Sequence, residues 1–231
     1  MRTVLVLNSK GGSGKTTIVS NLAGYYASID KNTVVKDYDP QGSSTEWLNQ
    51  RSYSLPKIHG LEAYKVSSPH MTRVFQMRLP PNTDRLIIDT PAAVDLKKLI
   101  MTIRDVDKIV IPVSPSPIDI RATLAFINEL NRFLKMHPCK AEIGIILNRA
   151  IINDSDIDQV EATFRNVDLP LLTVLSQNNN YMKAAERGVS LLELDHPKLI
   201  KDQQEWAPLI NWIEGEEVMQ CNEERPLFVV S

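Results

Sequence analysis

Two lysines, three glycines and two threonines fall within ten residues, Asn8 to Thr17, which read N-S-K-G-G-S-G-K-T-T. Gly11, Gly12 and Gly14 let a backbone approach a phosphate chain closely and turn its N–H groups toward it, with Ser13 and Thr17 in the same cradle. Lys15 would reach the β- and γ-phosphates, and the Thr16 hydroxyl would bind Mg²⁺. Such a loop needs a strand before it and a helix after it. The chain supplies both: the apolar run Thr3 to Leu7 leads in, and Thr16 to Ser28 continues with helical character. A helix beginning there adds its partial positive charge to the anion site.

Carboxylates stand at two further strand ends. Asp37 and Asp39, in D-Y-D-P-Q, follow the short strand Asn32 to Val35, and two residues apart they can project into one cleft. Asp89 ends the apolar run of L-I-I-D-T-P, Leu86 to Pro91. Open α/β sheets gather ligand chemistry at these strand ends, and a hard cation prefers carboxylate oxygens. Each has a plainer alternative: D-x-D-P is also a polar turn, and a strand-terminal Asp can cap a helix. Asn148 closes the strand Ala141 to Asn148, where an asparagine is often a simple turn residue.

The elements that must position these groups alternate along the chain, strand with helix. That pattern predicts an α/β fold with a mainly parallel sheet flanked by helices. Further strands are expected near Ala63 to Val66, at Lys108 to Val113 and at Leu171 to Leu175. Helices are expected at Thr45 to Arg51, Asp95 to Arg104, Ile118 to Met136, Asp154 to Arg165 and Tyr181 to Arg187, the last closed by Gly188. A final helix over Leu199 to Ile213 is kinked or divided by Pro208. With no linker rich in Gly, Ser or Pro, residues 1–231 are read as one domain. Within it, 199–231 form a C-terminal helix and tail of unclear role.

Composition bounds the partners. A chain of 231 residues with 43% hydrophobic and 23% charged residues is globular, and a formal net charge of −2 gives no bulk attraction to nucleic acid or anionic membranes. Cys139 and Cys221 have no metal-ligand spacing and fit a reduced compartment. The first residues enter a strand directly and no apolar run approaches membrane-spanning length, so a cytoplasmic protein is expected.

The loop departs from the common G-x-x-x-x-G-K-[ST] pattern, with Ser9 at the first glycine position and a second lysine, Lys10, after it. K-G-G-x-G-K-T-T resembles the deviant Walker A motif of the ParA/MinD family of P-loop ATPases. D-Y-D-P-Q resembles that family's Walker A′, L-I-I-D-T-P its Walker B, and Asn148-Arg149 its N-R pair, whose asparagine bonds adenine. Pro115 to Asp119 resembles the shorter, single-domain ParA-like proteins, and the likeness runs from Arg2 to about Glu193.

The resemblance implies an ATPase with ATP and Mg²⁺ as ligands. Lys10, Lys15 and Asp39 would be catalytic, Asp39 by positioning the attacking water; Thr16, Asp37 and Asp89 would form the metal shell. Gly11, Gly12, Ser13, Gly14, Lys15, Thr16, Thr17 and Asn148 would hold the nucleotide. Lys10 would cross an ATP-dependent homodimer to the other subunit's nucleotide, since burying it in the loop without a partner charge is costly. Turnover would be slow and stimulated by a ParB-like or cargo-adaptor partner. The family's usual work is positioning a plasmid, a chromosome region or a protein assembly over the nucleoid through nonspecific DNA binding. Lys97, Lys98 and Arg104, and Lys183, Arg187, Lys198 and Lys201, are candidate DNA contacts or simply solvated faces. A MinD-like membrane-associated ATPase is the alternative, but the acidic C-terminal stretch lacks the basic amphipathic helix it would need. A nitrogenase-reductase-like enzyme would need cluster-ligating cysteines, which Cys139 and Cys221 do not supply.

Overall fold

Short apolar runs that are covered on both faces make the sheet. In the computed structural model, which describes residues 1–65, 77–151 and 154–216, seven strands form one sheet: β1 (Arg2–Val6), β2 (Thr33–Asp37), β3 (Ile58–Glu62), β4 (Arg85–Asp89), β5 (Lys108–Val113), β6 (Glu142–Ala150) and β7 (Leu171–Ser176). Their order is β3-β2-β4-β1-β5-β6-β7, and each pairing is parallel. All six residues of β5 are buried, as expected of a parallel strand with helices on either side.

The two-residue period of the strands divides the core in two. Val4, Val6, Val35, Ile87 and Val110 pack with Ile18 and Leu22 of α1 (Lys15–Ser28). Leu5, Ile88, Ile109, Ile111 and Leu147 pack on the other face with Phe126, Ile127 and Leu130. These belong to an amphipathic twenty-residue helix. The remaining α-helices among the described residues are α2 (Ser43–Gln50), α3 (Ile100–Ile103, entered through a 3-10 turn at Leu96–Leu99), that long helix, α4 (Pro117–Met136), α5 (Asp154–Arg165), α6 (Asn180–Ala185), α7 (Ile200–Gln204) and α8 (Ala207–Glu214).

Two expectations are corrected. The strand expected near Ala63 lies earlier, at Ile58–Glu62, and Ala63 begins the turn that follows it; Val66 is outside the described residues. This is an edge strand with only Ile58 and Leu61 buried, and Gly60 admits Leu48 so closely that a Cβ would stand 2.8 Å from its Cδ1. The final helix is divided at Glu205–Trp206, with Pro208 in the first turn of α8, where a missing N–H breaks no helical bond. Cys221 and the rest of the C-terminal tail lie outside the described residues. Among those described, no helix is long and apolar enough to cross a membrane.

α1 is pinned along its length by the C-terminal third of the chain. Ser190 Oγ donates to Asn21 O at 3.1 Å, Leu191 N donates to Asn21 Oδ1 at 2.8 Å, and Tyr26 Oη donates to Glu214 Oε1 at 2.7 Å. Gly24 makes the approach possible, because a Cβ there would stand 2.2 Å from that of Ser190. Ser190 and Glu193 form a capping box. Glu193 also meets Arg51, just after α2, in an ion pair whose side chains are 3% and 5% exposed. Arg51 Nη1 donates to Glu193 Oε2 at 2.9 Å and to Gly188 O at 3.1 Å, while Nε and Nη2 both reach Pro56 O.

Candidate nucleotide-binding site

The C-terminal ends of β1, β2, β4 and β6 meet at one edge of the sheet, and the groups singled out in the sequence gather there. Gly12 and Gly14 take φ of +77° and +92°. Gly14 is doubly constrained, since a Cβ would also stand 2.0 Å from Asn148 Nδ2. α1 starts at Lys15 with no side-chain cap and no acid in its first turn, so its leading N–H groups face an anion unopposed. Lys15 is 7% exposed, and its ammonium donates to Asn8 O at 3.1 Å and Lys10 O at 3.2 Å. Burial lowers its pKa, with Asp89 and Asp39 opposing.

The loop's shape is also set by residues that no motif marked. Asn8 is buried: its Oδ1 accepts from Lys10 N at 3.0 Å, and its Nδ2 donates to Pro112 O at 2.8 Å and Thr123 Oγ1 at 3.1 Å. That fixes the loop to β5 and α4. Ser13 Oγ donates to Lys10 O, and Ala93 N to Ser9 O, which ties in the segment after β4.

Asp37 and Asp89 are register partners on adjacent strands, each 1% exposed. Asp89 Oδ2 accepts from Thr16 Oγ1 at 2.9 Å and from Ser44 Oγ, whereas its Oδ1 is buried without a partner. Burial pushes the carboxyl up to about 6 against the pull of those two hydroxyls. Both oxygens of Asp37 are engaged, Oδ1 by Asp39 N at 2.9 Å and Oδ2 by Thr45 N and Oγ1. An unsatisfied buried carboxylate oxygen beside a threonine hydroxyl is a site that a hard divalent cation would complete. The donor set therefore fits Mg²⁺, with Asp89 and Thr16 nearest to it in kind and Asp37 orienting the turn behind. Ser44 and Thr45 were missed in the sequence; the run of hydroxyls Ser43, Ser44 and Thr45 in the first turn of the helix after D-Y-D-P-Q was the available signal.

Asp39 is half-buried and holds Gln41 N at 3.0 Å through Oδ1. It lines a cleft of about 610 Å³ with Gly11, Gly12, Lys15, Thr16 and Arg149. Lys10 lines neither cleft. Its side chain is 42% exposed, and Nζ lies 3.1 Å from Asp119 Oδ1 in the first turn of α4. The loop turns this lysine outward, and its partner charge comes from its own chain.

Asn148 is buried against the loop, its Nδ2 donating to Ser13 O at 2.9 Å. Its Oδ1 has no hydrogen-bond partner among the described residues. It lines a second cleft of about 720 Å³ that includes Thr17, Ser176, Asn178 and Tyr181. Lys97, Lys98, Arg104, Lys183, Arg187, Lys198 and Lys201 are all exposed, and none lines either cleft.

Comparison with known proteins agrees with this geometry. A family model described as the CobQ/CobB/MinD/ParA nucleotide binding domain matches residues 4–191. Maintenance of carboxysome distribution protein A from Gloeobacter kilaueensis is 32% identical over 194 residues, covering 83% of this chain and 84% of its own. The protein of that name from Halothiobacillus neapolitanus is 29% identical over 194 residues, covering 83% and 87%. The ATP complex of an McdA variant from Cyanothece shares the fold, with a TM-score of 0.67 at 19% identity over 94% of this chain and 97% of that one. On the loop, the strand-end carboxylates and these matches together, the chain belongs to the CobQ/CobB/MinD/ParA family of nucleotide-binding domains, the family of the ParA and MinD ATPases.

Proposed function

We propose that the chain is an ATP-hydrolysing switch that dimerises with ATP and positions a cargo. The observation that carries the reading is the buried Lys15 ammonium, held by loop carbonyls at the start of an uncapped helix. Only an anion of high charge density gives that arrangement a ligand. Adenine fits the larger cleft, where Asn148 Oδ1 can accept from the N6 amine but not pair with a guanine carbonyl. Mg²⁺, held by Thr16 and Asp89, would neutralise charge building on the β- and γ-phosphates. Asp39, at the mouth of the phosphate cleft, orients the water that attacks.

Lys10 gives the switch its second state. In the single chain it rests on Asp119, at the surface. A partly exposed pair of this kind is worth about 1 kcal/mol, so the γ-phosphate of a second subunit can displace it. The cargo suggested by the two relatives is a protein assembly such as a carboxysome; a plasmid or chromosome region is the broader family alternative. The ATP dimer would hold nonspecific DNA through clusters such as Lys183, Arg187, Lys198 and Lys201, and a cargo-adaptor protein would stimulate hydrolysis. The expected site of action is the nucleoid in the cytoplasm. Analytical ultracentrifugation with ATP and Mg²⁺ tests the reading. Lys10→Ala should bind ATP as a monomer and fail to dimerise; a variant that dimerises as well as the wild type would refute the cross-subunit switch.

A further inference from the structure

Arg149 sits where β6 slips its register against β7, between Asn148 and Ala150, with φ of +58°. Among the described residues, four other non-glycine positions share the left-handed region: Asp30, Asn82, Ala93 and Asp168. Asp and Asn enter it readily because a short polar side chain can bond locally, and alanine is small. A long arginine gains neither advantage. Its side chain is exposed, and among the described residues the guanidinium has no hydrogen-bond or ion-pair partner. The twist instead places Arg149 on the wall of both clefts. It shares that position with Thr16, Thr17, Gln41 and Ser43, and it is the one cation among the five.

A ligand that runs from the glycine loop into the base-sized cleft must pass this junction. In a nucleotide, the atoms at that point are those of the proximal phosphates. A guanidinium presents paired N–H donors that match phosphate oxygens, and it stays charged at any working pH. We propose that Arg149 binds the α- and β-phosphates of the nucleotide, as a positioning cation additional to Lys15. The inference rests on the nucleotide reading above. It accounts for the strained backbone, which aims the side chain at the passage between the clefts.

Calorimetric titration with MgADP and with the slowly hydrolysed MgATPγS tests this on wild type, Arg149→Lys, Arg149→Ala and Arg149→Gly. Arg149→Ala should weaken both nucleotides about tenfold and by equal factors, since both carry the same two phosphates. Arg149→Lys should keep part of the affinity. Arg149→Gly relaxes the backbone and secures folding, yet should bind no better than Arg149→Ala. Wild-type affinity for MgADP in either the alanine or the glycine variant overturns the proposal, as does a loss confined to MgATPγS. A wild-type protein that binds neither nucleotide overturns the function above as well. One that binds both while Arg149→Ala is unimpaired overturns only the role of Arg149.

Discussion

Removing one side of the Arg51–Glu193 pair should cost far more than an ordinary surface ion pair. Both side chains are at least 95% covered, and Arg51 spends its remaining donors on Gly188 O and Pro56 O. Glu193→Leu leaves a buried guanidinium with carbonyl partners only, and Arg51→Met leaves a buried carboxylate and orphaned carbonyls. Breaking a buried pair on one side typically costs about 3–5 kcal/mol. For a chain of this size each kcal/mol lowers Tm by about 2–4 °C, so each single variant should melt about 6–20 °C below wild type. The double variant Arg51→Met/Glu193→Leu removes both charges and fills the space with apolar atoms. It should be less destabilised than the sum of the singles by about 2 kcal/mol or more. Urea unfolding of the four proteins measures this cycle. Single losses under about 1 kcal/mol, or strict additivity, would show that the pair is not the buried clamp described here.

Lys15→Gln should abolish ATP and ADP binding, because the phosphate chain loses its buried cation; affinity within about threefold of wild type, by titration, would exclude the loop as the site. Asp39→Ala should bind ATP and dimerise on gel filtration while hydrolysis stops; normal phosphate release, or failure to dimerise with ATP bound, would remove Asp39 from its water-positioning role. Gly24→Ala places a methyl into Ser190 and Glu193, and should lower unfolding stability by about 1–3 kcal/mol despite alanine's better helix propensity. A more stable Gly24→Ala protein in thermal melts would mean that the C-terminal segment yields easily.

The loop was legible because its geometry dictates residue type: left-handed turns at Gly12 and Gly14 leave few alternatives to glycine. Asp37 and Asp89 were legible because apolar strands ending in an acid stand out in any α/β chain. β3 was misplaced because I-H-G-L-E buries only two side chains, too few to reveal a strand period. Asn8, Asn21 and the Arg51–Glu193 pair carry no local signal, since each is explained by a partner over one hundred residues away. Motif spacing marks Lys10 but says nothing of which way its side chain leaves the loop. The outward turn toward Asp119 depends on where α4 begins relative to β1, which is a tertiary fact.

The seat that α1 provides for Ser190 and Leu191 sets a minimum length for any working fragment. A chain ending at Gly188 would keep each residue assigned to phosphate, metal and base. It would nonetheless strip both donors from Asn21 Oδ1 and lay bare Ile18, Leu22 and Tyr26, whose cover comes from Leu191, Leu192, Trp206 and Leu209. The helix that holds the phosphate loop in place would then lose the cover on its outer side. Autonomous ligand binding therefore needs the chain through α8, well past the last recognisable motif. If the backbone were nicked between α6 and Ser190, the two pieces would still be drawn together by that same apolar seat.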